Sequence, residues 1–175
     1  MNSETKGLWW GAVGVAIFAL TLPMTRLAVG PAEAPQLPPL FVTAGRAAGA
    51  GLLALLYLAL SRAPRPRRRH LGTLMWSALG TVVGFPLGLA LALREVPAMH
   101  AAVVTGILPL ATAAIAALAL RQRVSRGFWA CAVLGCALVL AFAVHEGGGR
   151  LTSADGWLLM AVFSASGGYV AGAKL

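Results

Sequence analysis

Acid is what this sequence most lacks. Aspartate and glutamate together number five in 175 residues, against 14 lysines and arginines, which gives a formal charge of +9. A soluble nucleic-acid binder reaches a strongly basic pI by crowding lysine and arginine onto one face. Here charged residues are only 11% of the chain while 59% are hydrophobic, so the basic excess reflects missing acid as much as added base. No nucleic-acid partner is expected. Cysteine is equally scarce: Cys131 and Cys136 lie five apart in an apolar run, about 140° apart on a helix, so neither a disulfide nor a metal site follows. Metal-spaced sets of His, Asp and Glu are missing. So are an intramembrane carboxylate pair, a phosphate loop with lysine, and a serine with a histidine at matching depth. No catalytic residue, metal or cofactor is expected, and the glycines Gly147 to Gly149 read as an external loop.

What is present is apolar length. Crossing about 30 Å of hydrocarbon takes roughly 20 helical residues. Six runs come close or qualify: 8–29, 40–60, 71–93, 101–120, 128–144 and 156–175. The connections are short and polar, which leaves no room for a soluble domain. The expected fold class is an all-α integral membrane protein, a multi-spanning helix bundle with the lipid bilayer as its solvent.

Lysine and arginine fall unevenly on alternate sides of these spans. One side receives Lys6, Arg62, Arg65, Arg67, Arg68, Arg69, Arg121, Arg123 and Arg126, and the other receives Arg94 and Arg150. The positive-inside rule makes the first side cytoplasmic. The N-terminus is then inside, and the loops at 30–39, 94–100 and 145–155 are outside. The run "SRAPRPRRRH", residues 61–70, becomes a short cytoplasmic turn that orients the chain. Trp9, Trp10, Trp129 and Trp157 fall at span ends, where indole rings favour the interface.

Inside the spans, small residues recur at four-residue spacing: Gly45 and Gly49; Gly80, Gly84 and Gly88; Gly168 and Gly172. Each row lays a flat groove that another helix can approach closely. Pro23, Pro86 and Pro109 each remove a backbone hydrogen bond within a span and bend it. Arg46 lies about 9 Å of helix rise from the outer end of its span, at an insertion cost of roughly 2.5–3.5 kcal/mol for a central arginine. Two readings of it stand: snorkelling or pairing with Glu33 or Glu95, and lining a water-filled cavity that receives an anionic solute group. Arg26, three residues from its outer end, invites the same pair of readings. His100, with Glu95 nearby, is a candidate for proton-linked chemistry, against the plainer reading of a solvated interfacial histidine. Thr21, Thr25, Thr105 and Tyr169 supply hydroxyls that either face a cavity or bond back to their own helices.

A faint repeat links the ends of the chain. At an offset of 148 residues Trp9 falls on Trp157, and Arg26 with Leu27 falls on Lys174 with Leu175. The first helix runs outward and the sixth must run inward, the arrangement of an inverted-repeat secondary transporter. The segments "FALTLPMTRLAV", "FVTAGRAAGA", "GFPLGLALALREVPAMHAAVVTGILPLATAAIAALAL", "RQRVSRGFW" and "GYVAGAKL" resemble the EamA-type branch of the drug/metabolite transporter superfamily.

That resemblance implies ten helices in two inverted five-helix repeats, and outward movement of a small organic metabolite or drug across the cytoplasmic membrane, often against protons. Residues 1–144 would form the first repeat, 145–155 an external linker, and 156–175 the first helix of a second, incomplete repeat with about four helices still to follow. The chain then reads as a fragment, or as a short form that completes its cavity as a homodimer. The solute would sit near Pro23, Arg46, Thr105 and Tyr169, with Arg26, Thr21, Pro109 and Lys174 close by. Two other classes stay open: a non-transporting scaffold with a solidly packed interior, and a membrane-embedded enzyme, which would need a buried nucleophile beside His100 or His145.

Overall fold

The computed structural model describes residues 3–62, 66–120, 124–146 and 151–175. Arg65, Arg121, Arg123, Arg150 and the three glycines from Gly147 lie outside them, so the loops that those residues were expected to form are not described. Helix dominates, and no strand occurs among the described residues.

Three spans are broken, and each break has a proline as its cause. The first span is α1 (Ser3–Ala19) followed by α2 (Thr21–Val29). Pro23 has no N–H to give the carbonyl four residues back, which belongs to Ala19, and α1 ends there. After α3 (Pro39–Leu60) the third span runs through α4 (Leu71–Ala78), a π-helical stretch at Leu79–Gly84, and α5 (Phe85–Glu95). Pro86 denies its bond to Val82 inside that stretch, and the ladder shifts by one residue, as the Phe85 N–H bonding to the Gly80 carbonyl shows. The fourth span divides into α6 (Ala98–Thr105) and α7 (Leu108–Ala119), with Pro109 unable to reach Thr105. Replacing Pro109 by alanine is expected to restore that bond and fuse α6 with α7. Slower amide exchange at residues 106–108, with a protected new amide at residue 109, would show it, and unchanged exchange at 106–108 would place the cause of the break elsewhere.

The last two helices are α8 (Arg126–Glu146) and α9 (Ser153–Gly172). Among the described residues four stretches are long and apolar enough to cross a membrane: Glu4–Val29, Pro39–Leu60, Arg68–Glu95 and Ala98–Ala119. The sequence led us to expect six. In α8 the apolar part, Arg126–Phe142, is shorter, and α9 carries polar and small residues because it is an interior helix. It packs on α4, the π-helical stretch, α5, α6 and α7, and Leu158, Ala161, Val162 and Ala165 are fully buried.

The packing of α9 rests on glycine. A Cβ at Gly80 would stand 2.3 Å from the Ser164 carbonyl oxygen, one at Gly84 2.7 Å from the Ser164 side chain, and one at Gly88 2.8 Å from the Trp157 carbonyl oxygen. From the other side, a Cβ at Gly168 would stand 2.9 Å from the Ser77 carbonyl oxygen. Such closeness brings polar groups into reach: the Ser77 hydroxyl donates to the Gly168 carbonyl at 2.8 Å, and Thr112 donates to the buried Ser166 at 3.1 Å. The row at Gly45 and Gly49 has the same spacing, but a Cβ at either would meet nothing within 4 Å among the described residues.

Past the C-terminal end of α2 the chain is tied by backbone bonds. Gly30 takes a φ of 68° to end α2, and a side chain there would run into the Ala34 carbonyl oxygen at 2.5 Å. The loop that follows is held to the end of α5 by Ala32 N–H donating to the Arg94 carbonyl at 2.9 Å.

Candidate functional site

A cleft of about 430 Å³ opens between the broken first span and α3. It is lined by Ile17, Leu20, Thr21, Met24, Thr25, Ala28, Val42 and Arg46. The lining follows helical spacing: Thr21, Met24, Thr25 and Ala28 share one face of α2, and Val42 and Arg46 share one face of α3. Arg46 reaches across and donates from Nη1 to Thr25 Oγ1 at 3.2 Å. Its partner is therefore a hydroxyl of the first span, where the sequence had offered Glu33 or Glu95.

A smaller cavity of about 110 Å³ adjoins this cleft through Thr21. Its lining draws on all three proline breaks: Phe18, Ala19 and Thr21 from the first span, Phe85 and Leu89 from the third, Thr105 and Leu108 from the fourth. The rings of Phe18 and Phe85 stack beside it with centroids 6.4 Å apart. Thr21 and Thr105 thus meet as expected of cavity residues, although the Thr105 hydroxyl also donates to its own helix at Ala101 O, 2.7 Å. Pro23 and Pro109 are exposed on their helices and act through the breaks that they impose.

Other candidates lie elsewhere. Tyr169, on α9, is partly exposed and lines neither cavity. Lys174 borders a separate cleft with Thr73, Trp76 and Ile115. Arg26 donates from Nη1 to the Leu93 carbonyl, and the local sequence gives the reason. The helical donor to that oxygen would be residue 97, a proline without an N–H, so the guanidinium of Arg26 completes the end of α5. Arg26→Ala is expected to leave that carbonyl unpartnered and to lose about 1–3 kcal/mol of stability. A thermal melt in detergent reads this directly, and an unchanged midpoint would deny Arg26 the capping role.

His100 gives the clearest correction. It is not solvated: it is 5% exposed, and its Nε2 lies 2.6 Å from Asp155 Oδ1. Asp155 is 2% exposed at the first turn of α9. Its other oxygen accepts from Thr152 N–H at 2.8 Å and from Thr152 Oγ1 at 2.9 Å, the reciprocal half of a capping box. Burial pushes the Asp155 carboxyl up, but the bonds from the Thr152 backbone, His100 and the Thr152 hydroxyl together hold it below the usual carboxylate range. Close by, Glu95 accepts from Ser153 Oγ. Two polar links therefore fasten the α5–α6 turn to the start of α9. The sequence reading passed over Asp155, although the pattern Thr152-x-x-Asp155 before an apolar run was a legible helix start.

The EamA-like transporter family matches residues 5–144. The chain is also 43% identical over its whole length to the "Uncharacterized transporter YdeK" of Bacillus subtilis (strain 168), and it spans 59% of that relative. No solved structure matches it. Apolar helices long enough to cross a bilayer, a glycine-tight interior and a family match over most of its length have one conclusion: this chain belongs to the EamA-like transporter family and is a multi-pass membrane protein.

Proposed function

We propose that the chain is the N-terminal part of a secondary transporter that exports a small organic solute across the cytoplasmic membrane by alternating access. Its N-terminus is cytoplasmic in this reading, because the nine basic residues of one side outnumber the two of the other. The observation that carries the proposal is the cleft between α2 and α3, where Arg46 stands among apolar walls beside three spans broken by prolines. Broken helices beside a polar cavity are where secondary transporters seat solute. The scaffold alternative, which requires a solid interior, fits this cleft poorly.

The enzyme alternative draws on the His100–Asp155 pair. It lacks a nucleophile: among the described residues no serine or cysteine side chain hydrogen-bonds His100. The chain is accordingly proposed to be no enzyme, and a proton link, where coupling exists, is assigned to His100 with Asp155, Glu95 lying one link away. Arg46→Ala in the complete protein is expected to abolish solute movement while leaving insertion intact. Efflux from proteoliposomes tests this, and unchanged efflux would remove Arg46 from the site.

A further inference from the structure

We infer that the α2–α3 cleft takes an organic anion, a carboxylate on an apolar body, an inference that rests on the transporter reading above and names its substrate class. Arg46 supplies the charge of the cleft, Thr21 and Thr25 supply hydroxyls, and Ile17, Leu20, Met24, Ala28 and Val42 supply apolar wall. Among the described residues no acidic side chain lines it.

The state of Arg46 sets it apart from its neighbours. Arg26 is bonded to the Leu93 carbonyl, and Arg94 donates to the Leu37 carbonyl at 3.3 Å. Both act as structural ties. Arg46 makes one bond among the described residues, to a neutral hydroxyl, and no carboxylate there comes within 4.0 Å of it. A guanidinium carries five N–H donors, so most of the hydrogen-bonding capacity of this exposed, cleft-lining arginine is unspent among the described residues.

Depth sharpens the point. Arg46 lies about 10 Å of rise into α3, and its head is held at Thr25 instead of extending to the outer end of α2 at Val29. A guanidinium with free donors beside apolar walls favours an anion that can accept two parallel N–H bonds, which is carboxylate geometry. An amine or a zwitterion would bring an ammonium that meets neutral hydroxyls and no carboxylate in this lining, next to the like charge of Arg46, and a wholly polar anion would lose water against five apolar side chains. At about 430 Å³ the cleft lies within the 300–1,000 Å³ usual for small-molecule sites.

A lipid headgroup phosphate shares the anionic chemistry, so the test separates the two sources. The complete protein is placed in phosphatidylcholine nanodiscs, and calorimetry compares 4-phenylbutanoate with 4-phenylbutanamide, 4-phenylbutylamine and 2-amino-4-phenylbutanoate. The carboxylate is expected to bind at least about tenfold more tightly than the other three, with Arg46→Gln bringing it down to the level of the amide. Arg46→Lys, which keeps the charge and loses the fork, is expected to fall between. Helical content and a single elution peak establish that each variant is folded. Equal binding of the four probes, or carboxylate binding indifferent to both substitutions, would overturn the inference. Phosphatidylglycerol added to the discs should leave the affinity unchanged, and its loss would give Arg46 to a lipid headgroup and overturn the inference too. Counterflow by the complete protein keeps the transporter reading distinct. Movement of the amine or zwitterion with no carboxylate binding would sink the anion site alone, whereas Arg46-dependent carboxylate binding without movement would sink the transporter reading alone.

Discussion

Replacing Asp155 by alanine is expected to loosen the N-terminal end of α9 at a loss of about 3–5 kcal/mol, because several hydrogen bonds to a buried carboxylate, each worth roughly 1.5–3 kcal/mol and less than additive together, go with it. Three bonds go at once: His100 Nε2 at 2.6 Å, Thr152 N–H at 2.8 Å and Thr152 Oγ1 at 2.9 Å. The His100 ring, which sits against Phe142 with centroids 5.9 Å apart, is left buried without a partner. Asp155→Asn keeps an oxygen for the Thr152 N–H and should lose less, about 1–2 kcal/mol. Melting curves in detergent, with amide exchange over the first turn of α9, provide the check; equal midpoints for all three proteins would show that the pair does not hold the helix. The pH dependence has a definite sign. Because the folded Asp155 carboxyl lies below its ordinary 3.8, its stabilisation is complete above that value and is lost as the pH falls through the lower folded one. The acid transition of Asp155→Ala should lack that step.

Gly80→Ala is expected to be comparably severe. The added Cβ would lie 2.3 Å from the Ser164 carbonyl oxygen and 3.0 Å from the Gly168 Cα, both of which are backbone atoms of α9. A flexible side chain can turn aside, but backbone in a packed helix cannot, so α9 itself must move. Overpacking usually costs about 1–3 kcal/mol and here should reach or exceed the upper end. Displacement would also break the bond from Ser77 Oγ to Gly168 O. Gly45→Ala is the matched control: the same residue type at the same spacing in open space, where alanine should be neutral or gain about 0.5–1 kcal/mol. Detergent-extracted yield and melting temperature distinguish them, and equal behaviour of the two variants would contradict glycine-tight packing of α9.

That contrast marks how far the sequence could be read. Four-residue glycine spacing states that a helix face is flat, and it says the same at Gly45 and at Gly80; only tertiary structure supplies a partner to one of them. The bends at Pro23, Pro86 and Pro109 were legible because a missing N–H acts locally, on a carbonyl four residues away. Their convergence beside Thr21, Phe85 and Thr105 was not, since it depends on how three spans align. His100 and Asp155 stand 55 residues apart, and no local pattern joins them, although the capping signature at Thr152 announced half of what Asp155 does. Arg26 shows a different limit. Pro97 guaranteed that the Leu93 carbonyl would want a donor, but which side chain comes to it follows from the packing of α2 on α5.

Alternating access at the α2–α3 cleft is the centre of this account, and side-specific labelling tests it most directly. In the complete protein with Cys131 and Cys136 replaced by alanine, Met24→Cys places a thiol on the cleft wall. A membrane-impermeant maleimide is then applied to right-side-out and inside-out vesicles. The account predicts labelling from both sides, with a transported solute slowing both. Labelling confined to one side, with or without solute, would contradict it.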